Sequence, residues 1–287
     1  MAEQDKDRFI SILSDYGFKA TFGNESDTRF LRKALQALIK SETAIEKVSF
    51  TQNEMKGLTF DSRSGIYDIS CIDENGNSFI VEMQLSEYPE FIQRMKFYAL
   101  YKFNTFVKKG DYTFQDLPKI YCIGILAKDI FSDVSDYHNI AVIRNEKGEL
   151  IDDQMTFISV KLNKFNLNVE HCHTDLEKLI FTMKNLNSFP EPIQYPQFWD
   201  EEWLKIAIKE LDTKAMSSEE RLIYEMTVSA NALAIQNEKK KIEKAVLSEK
   251  IEAIKKALNK GKLTVQEIAE YNNVSETFVL DIQKSIS

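Results

Sequence analysis

The chain has 287 residues, 45 acidic and 37 basic side chains, a formal net charge of −8 and 43% apolar residues. That mix excludes collagen-like and largely disordered chains, and the length allows one large domain or two small ones with real cores. The acidic balance excludes a protein that coats nucleic acid through bulk charge. A basic groove, or a cation site built from carboxylates, stays open.

Cys71, Cys122 and Cys172 lie far apart. An odd, sparse set is no disulfide framework, so a reducing, cytoplasmic setting is expected. The first residues are charged and carry no apolar signal core. The longest apolar run, 121–127, is too short to span a bilayer, so no membrane partner is expected.

In chain order, residues 28–40 carry Phe30, Leu31, Ala34, Leu35, Leu38 and Ile39 at helical spacing, with Asp27 or Thr28 to cap. Strands are expected at 48–53 and 57–60. Residues 66–72 and 78–85 form a hairpin through Asp73, Glu74, Asn75, Gly76 and Asn77. A helix runs from Pro89 to about residue 109, with Phe91, Met95, Tyr98, Ala99, Lys102 and Phe106 on one side. Strands follow at 119–126, 141–144 and 155–160. Pro190, Pro192 and Pro196 mark an extended segment and the expected boundary between a mixed domain, 1–188, and a helical region, 189–287. That region reads as helices at 199–211 and 217–259. Residues 239–262 hold nine lysines: a solvated face, or a DNA grip or coiled-coil pairing.

The hairpin carries the chemistry. Alternation puts Ile80, Glu82 and Gln84 on one face of the second strand, and Tyr67, Ile69 and Cys71 opposite Asp68 and Ser70 on the first. A two-residue turn at Asn75 and Gly76 would set Asp68 and Glu82 on opposite faces. A three-residue loop with Gly76 left-handed pairs Asp73 with Asn77 and Asp68 with Glu82, Cβ atoms roughly 5 Å apart; this register is the one expected. Two carboxylates so close repel unless a positive charge joins them. A hard cation such as Mg²⁺ suits them, and Gln84 can position a water or phosphate but cannot act as a base. Polar residues on a solvent-facing hairpin remain the alternative reading.

This constellation resembles the PD-(D/E)xK phosphodiesterase superfamily, with Gln84 in the usual lysine position. It is similar in particular to the Rpn, or recombination-promoting nuclease and transposase-like, family. Residues 15–23, reading D-Y-G-F-K-A-T-F-G, are similar to its N-terminal motif. Asp68 to Gln84, Arg94-Met95-Lys96-Phe97-Tyr98 and the segment from Lys109 to Tyr121 follow in its order. Residues 157–165 resemble its terminal motif, with Lys161 in place of the usual Glu.

The resemblance implies an α/β (α+β) restriction-endonuclease-like core, a mixed sheet flanked by helices, followed by an all-helical C-terminal region. It implies a metal-dependent DNA endonuclease of low sequence specificity, linked to recombination or mobile elements. The catalytic set would be Asp68, Glu82 and Gln84. Asp68 and Glu82 would bind Mg²⁺, Mn²⁺ or Ca²⁺, and Lys19 and Arg94 would contact DNA, with Glu25 a secondary acid. A homodimer through the C-terminal helices is a further expectation. The alternative is a catalytically inactive nuclease-fold protein that binds DNA or a partner.

His171 and His173 sit at strand spacing but lack two further ligands, so a surface turn is expected there. Residues 263–284 resemble a helix-turn-helix, with Ala269 at the close approach, Asn273 in the turn and Ser275 as a cap. Its second helix opens on Ser275, Glu276 and Thr277 and carries no basic residue before Lys284. Packing or self-association is therefore expected rather than DNA reading.

Overall fold

Residues 8–55, 65–85, 90–107, 113, 117–128, 135–189, 191 and 194–286 are described by the computed structural model. The expected strand at 57–60, Pro89 and residues 109–112 lie outside them.

Helix α1 (Asp15–Phe22) starts where the Ser14 side chain accepts from Gly17 N–H at 2.9 Å. Its buried side carries Phe18, Thr21 and Phe22. Helix α2 (Arg29–Ile39) buries Phe30, Leu31, Ala34, Leu35 and Leu38, the stripe expected from spacing. Phe18 stacks on Phe22, and Phe22 meets Phe30 edge-on at 5.1 Å, which joins the two helices.

The strands are β1 (Val48–Phe50), β2 (Glu54–Met55), β3 (Gly65–Ile66), β4 (Ile69–Asp73), β5 (Ser78–Gln84), β6 (Ile120–Leu126), β7 (His138–Arg144) and β8 (Leu150–Lys161). Six form one sheet in the order β1-β4-β5-β6-β8-β7, while β2 and β3 pair separately. β5, β6 and β8 run parallel, and the remaining pairings are antiparallel. Helix α3 (Phe91–Phe106) makes the crossover from β5 to β6 and packs on Ile80, Cys122 and Leu126. On the opposite face, the end of α1 reaches Ile69.

Three expectations change. The strand expected at 66–72 is broken at Tyr67 and Asp68, between β3 and β4. Tyr67 therefore leaves the face of Ile69 and joins the cluster of Ile80 and Tyr98, packing edge-on to Tyr98 at 4.8 Å. A helix not expected from the sequence, α4 (Asp175–Asn185), opens on a capping box between Thr174 and Glu177.

The compact units are residues 1–221 and 222–287. Helix α5 (Glu202–Leu211) stays with the first because Trp203 stacks on Phe30 and Ile10 N–H donates to Leu211 O at 2.9 Å. Arg8 also pairs with Asp212 at 3.0 Å.

Helix α6 (Ser218–Lys260) leads into the second unit. There α7 (Val265–Asn272) and α8 (Glu276–Ile286) bury Ile254, Ile268, Ala269, Val279 and Ile282 together. Asn273 takes the left-handed turn at φ 49°, and Phe278 N–H donates to the Ser275 hydroxyl at 3.3 Å. These are the expected helices of the 263–284 segment, and Glu276 leads the second.

Candidate active site

The hairpin register places the two acids. β4 and β5 pair with Ile69 opposite Val81 and Ile72 opposite Ser78, which sets Asp68 opposite Glu82. The loop fixes that register. Asp73 Oδ1 accepts from Asn75 N–H at 2.9 Å and Asn77 N–H at 2.8 Å, and Gly76 turns at φ +80°. This is the three-residue loop expected from the sequence.

The bend at Asp68 brings its carboxylate onto the end of β5. Met83 N–H donates to Asp68 Oδ2 at 2.8 Å, and Asp68 N–H reaches Glu82 Oε1 at 3.4 Å. Glu82 is only 3% exposed. Arg94, on the first turn of α3, donates to Glu82 Oε2 at 2.9 Å and to Gln84 Oε1 at 3.3 Å. Arg94, expected to contact DNA, is held here in an ion pair with Glu82 itself.

Burial and the facing Asp68 push the Glu82 carboxyl up to about 8, and Arg94 offsets only part of this. Burial also raises Asp68, against Met83 N–H, Lys19 and Arg94. With a folded pKa above the free value, Glu82 contributes stability that is complete below pH 4.5 and fades as pH rises through about 8. A cation held by Glu82 would reverse this by keeping the carboxylate ionised, with release of one proton. Divalent-ion affinity, measured by calorimetry, should therefore rise about tenfold per pH unit between pH 6 and 7.5 and level off above about 8.5. A flat profile would rule out Glu82 as the titrating ligand.

Lys19 is exposed and pairs with Asp15 at 2.9 Å. Both charges act on Asp68, so α1 flanks the site. Asp15 was missed as a site neighbour, although it opens the N-terminal motif. Glu25 is exposed after α1. Lys102, two turns beyond Arg94, is buried under hydroxyls, donating to Thr51 Oγ1 at 3.1 Å and Ser70 Oγ at 3.4 Å. Lys161 is fully buried in the strand row of Gln84, two strands away.

His171 ends a 3-10 turn, and both His171 and His173 are exposed. Buried His138 meets Leu38 O through Nε2 at 2.7 Å and serves packing. Among the described residues no group of three or more His, Cys, Asp or Glu side chains could hold a metal. The carboxylate site is a pair.

A mixed sheet with a parallel β5-α3-β6 unit, an Asp at the bend that leads into one hairpin strand and Glu-x-Gln on the next define an α/β PD-(D/E)XK-like nuclease fold. A family model described as PD-(D/E)XK nuclease family transposase matches residues 12–232, and the chain belongs to that family. No curated protein and no solved structure matches. The family is one of nucleases linked to mobile elements.

Proposed function

We propose that the protein is a divalent-metal-dependent DNA endonuclease of low sequence specificity that serves recombination or mobile elements. The observation that carries this reading is the meeting of Asp68 and Glu82 across the hairpin, each with a raised pKa. That donor set, all oxygen and relieved by positive charge, fits a hard cation such as Mg²⁺, Mn²⁺ or Ca²⁺. When bound, such a cation polarises a phosphate oxygen and acidifies a water.

The chain's own residues set the geometry. Met83 N–H aims Asp68, and Asp68 N–H aims Glu82. The Gln84 amide holds a water or a phosphate oxygen and moves no proton. Arg94 holds Glu82 Oε2 and offsets part of the cost of its charge in the resting site. Once a cation takes that role, its guanidinium is in reach of a phosphate. Lys19 extends the contact along the strand. Incubating plasmid DNA with the protein and Mg²⁺ or Mn²⁺ tests this, with Asp68→Ala and Glu82→Ala as controls.

A second reading, an inactive nuclease-fold protein that binds DNA or a partner, draws on Arg94 already filling the cation's electrostatic role at Glu82. Retained DNA binding with no divalent-ion binding in the same calorimetric titration would favour it.

The homodimer through the C-terminal helices is part of this proposal. On α6, Ile223, Met226 and Leu233 are 52%, 63% and 58% exposed, and with Ala230 they follow a three-four-three spacing suited to a helix partner. Sedimentation should show a dimer that the pair Ile223→Lys and Leu233→Lys converts to monomer; a wild-type monomer at tens of micromolar would overturn it. Among the described residues no helix is long and apolar enough to cross a membrane. A cytoplasmic setting is proposed with the rest.

A further inference from the structure

A cavity of about 210 Å³ lies between the start of α3 and strands β6, β8 and β7. Its position relative to the acids follows from register. Glu82 pairs with Gly124, Gly124 with Ser159, and Ser159 with Asn139, so these four residues form one row on the face that α3 covers. Adjacent strands lie roughly 4.8 Å apart, which sets Ser159 about 10 Å from Glu82. That is the span of one nucleotide from phosphate to base edge. Ser159 and Asn139 line the cavity.

Phe91 belongs to both places. Gly124 has no side chain, and a Cβ there would lie 2.6 Å from the Phe91 ring, so the ring occupies the gap in the row. Phe91 also lines the cavity and carries the Arg94 guanidinium 5.7 Å from its ring centroid. Arg94 in turn holds Glu82.

We propose that this cavity receives a single unstacked base of the strand whose phosphate lies at Asp68 and Glu82. The proposal rests on the nuclease reading and narrows its substrate to strands that present an unpaired base. The occupant follows from size and lining. Drug-sized pockets run to about 300–1,000 Å³, so this one takes a single ring system and no base pair. Phe91, Met95 and Phe157 supply apolar and aromatic wall for a ring face. The lining is almost wholly apolar, so it serves the ring face, and the polar edge of the base stays at the open side, where Ser159 and Asn139 stand. Ala141, exposed on β7, stands at the mouth.

The test is an abasic scan. Single-stranded oligonucleotides of mixed sequence, each lacking one base, are cut with Mn²⁺ and the products mapped on a sequencing gel. Cleavage of a given bond should fall roughly 5- to 150-fold when the missing base lies at one fixed offset from it. Ala141→Phe, which fills the mouth from an exposed position, should cut the intact strand more slowly and lose the offset dependence. In parallel, 2-aminopurine at that offset should change fluorescence on binding without divalent ions. In Ala141→Phe this change should disappear.

Cleavage that depends on Asp68 but not on any offset would overturn the base pocket and leave the nuclease reading standing. If no substrate is cut, the nuclease reading fails. The fluorescence arm then decides alone, and an unchanged signal at every position overturns the pocket as well.

Discussion

On the proposed function, Asp68→Ala and Glu82→Ala should each lower plasmid cleavage in Mg²⁺ or Mn²⁺ by about 10³-fold or more, the loss expected if a cation worth several kcal/mol of charge stabilisation is no longer held. Neither change should unfold the protein. Asp68 lies at a bend between strands, so its loss removes one acceptor from Met83 N–H and little packing. Glu82 is buried, and its removal strands Arg94. The sharper variant is therefore Glu82→Gln, which keeps an oxygen for Arg94, gives up only the long 3.4 Å contact from Asp68 N–H and removes the buried charge. It should match or exceed the wild type in Tm above pH 7, because the ionised form of Glu82 is the costly one. It should also cleave no better than Glu82→Ala. Full activity in Asp68→Ala and Glu82→Ala would sink the assignment of the site.

Gly124→Val should damage stability and cleavage together. A Cβ at this position meets Cε1 and Cζ of Phe91 at 2.6 Å, so the buried ring must shift, toward the cavity it lines, and pull on the start of α3. Overpacking of this kind costs about 1–3 kcal/mol, or roughly 2–12 °C in Tm for a domain of this size. The start of α3 gives way, and Arg94, three residues beyond Phe91, moves with it from Glu82. Phe91→Leu in the Gly124→Val background makes room and should recover part of both losses. A Gly124→Val protein with unchanged Tm and unchanged cleavage would show that α3 is not held by this contact.

Much of the fold was legible where the signal is short-range. The α2 stripe, the start of β5, the buried side of α3 and both helices of the 263–284 segment follow from apolar spacing and caps within a few residues. The acid pair was legible for the same reason, since its register depends on one loop. Helix α4 was missed although Thr174 and Glu177 spell a capping box and Leu176, Leu179, Ile180 and Met183 are buried; that signal was in the sequence. The break at Tyr67 was not. It depends on Tyr98, thirty-one residues on, giving the ring a better place than the face of Ile69. The place of α5 in the first unit likewise depends on Trp203 finding Phe30 and Arg8 finding Asp212.

The sequence by itself favoured the register that sets Asp68 opposite Glu82 over the two-residue turn that parts them. Asp73, Asn77 and Gly76 suit the three-residue loop, and a period of two carries its register outward along β4 and β5. The opening balance of −8 shows nothing of this, because two carboxylates in one place matter more to a cation than 45 spread over the chain. Only the tertiary structure decided what surrounds the pair. The β5-α3-β6 crossover lays Arg94 on Glu82, Phe91 on Gly124 and Lys102 on hydroxyls instead of carboxylates. Those contacts join residues far apart in the chain, and only packing, not local propensity, selects among them.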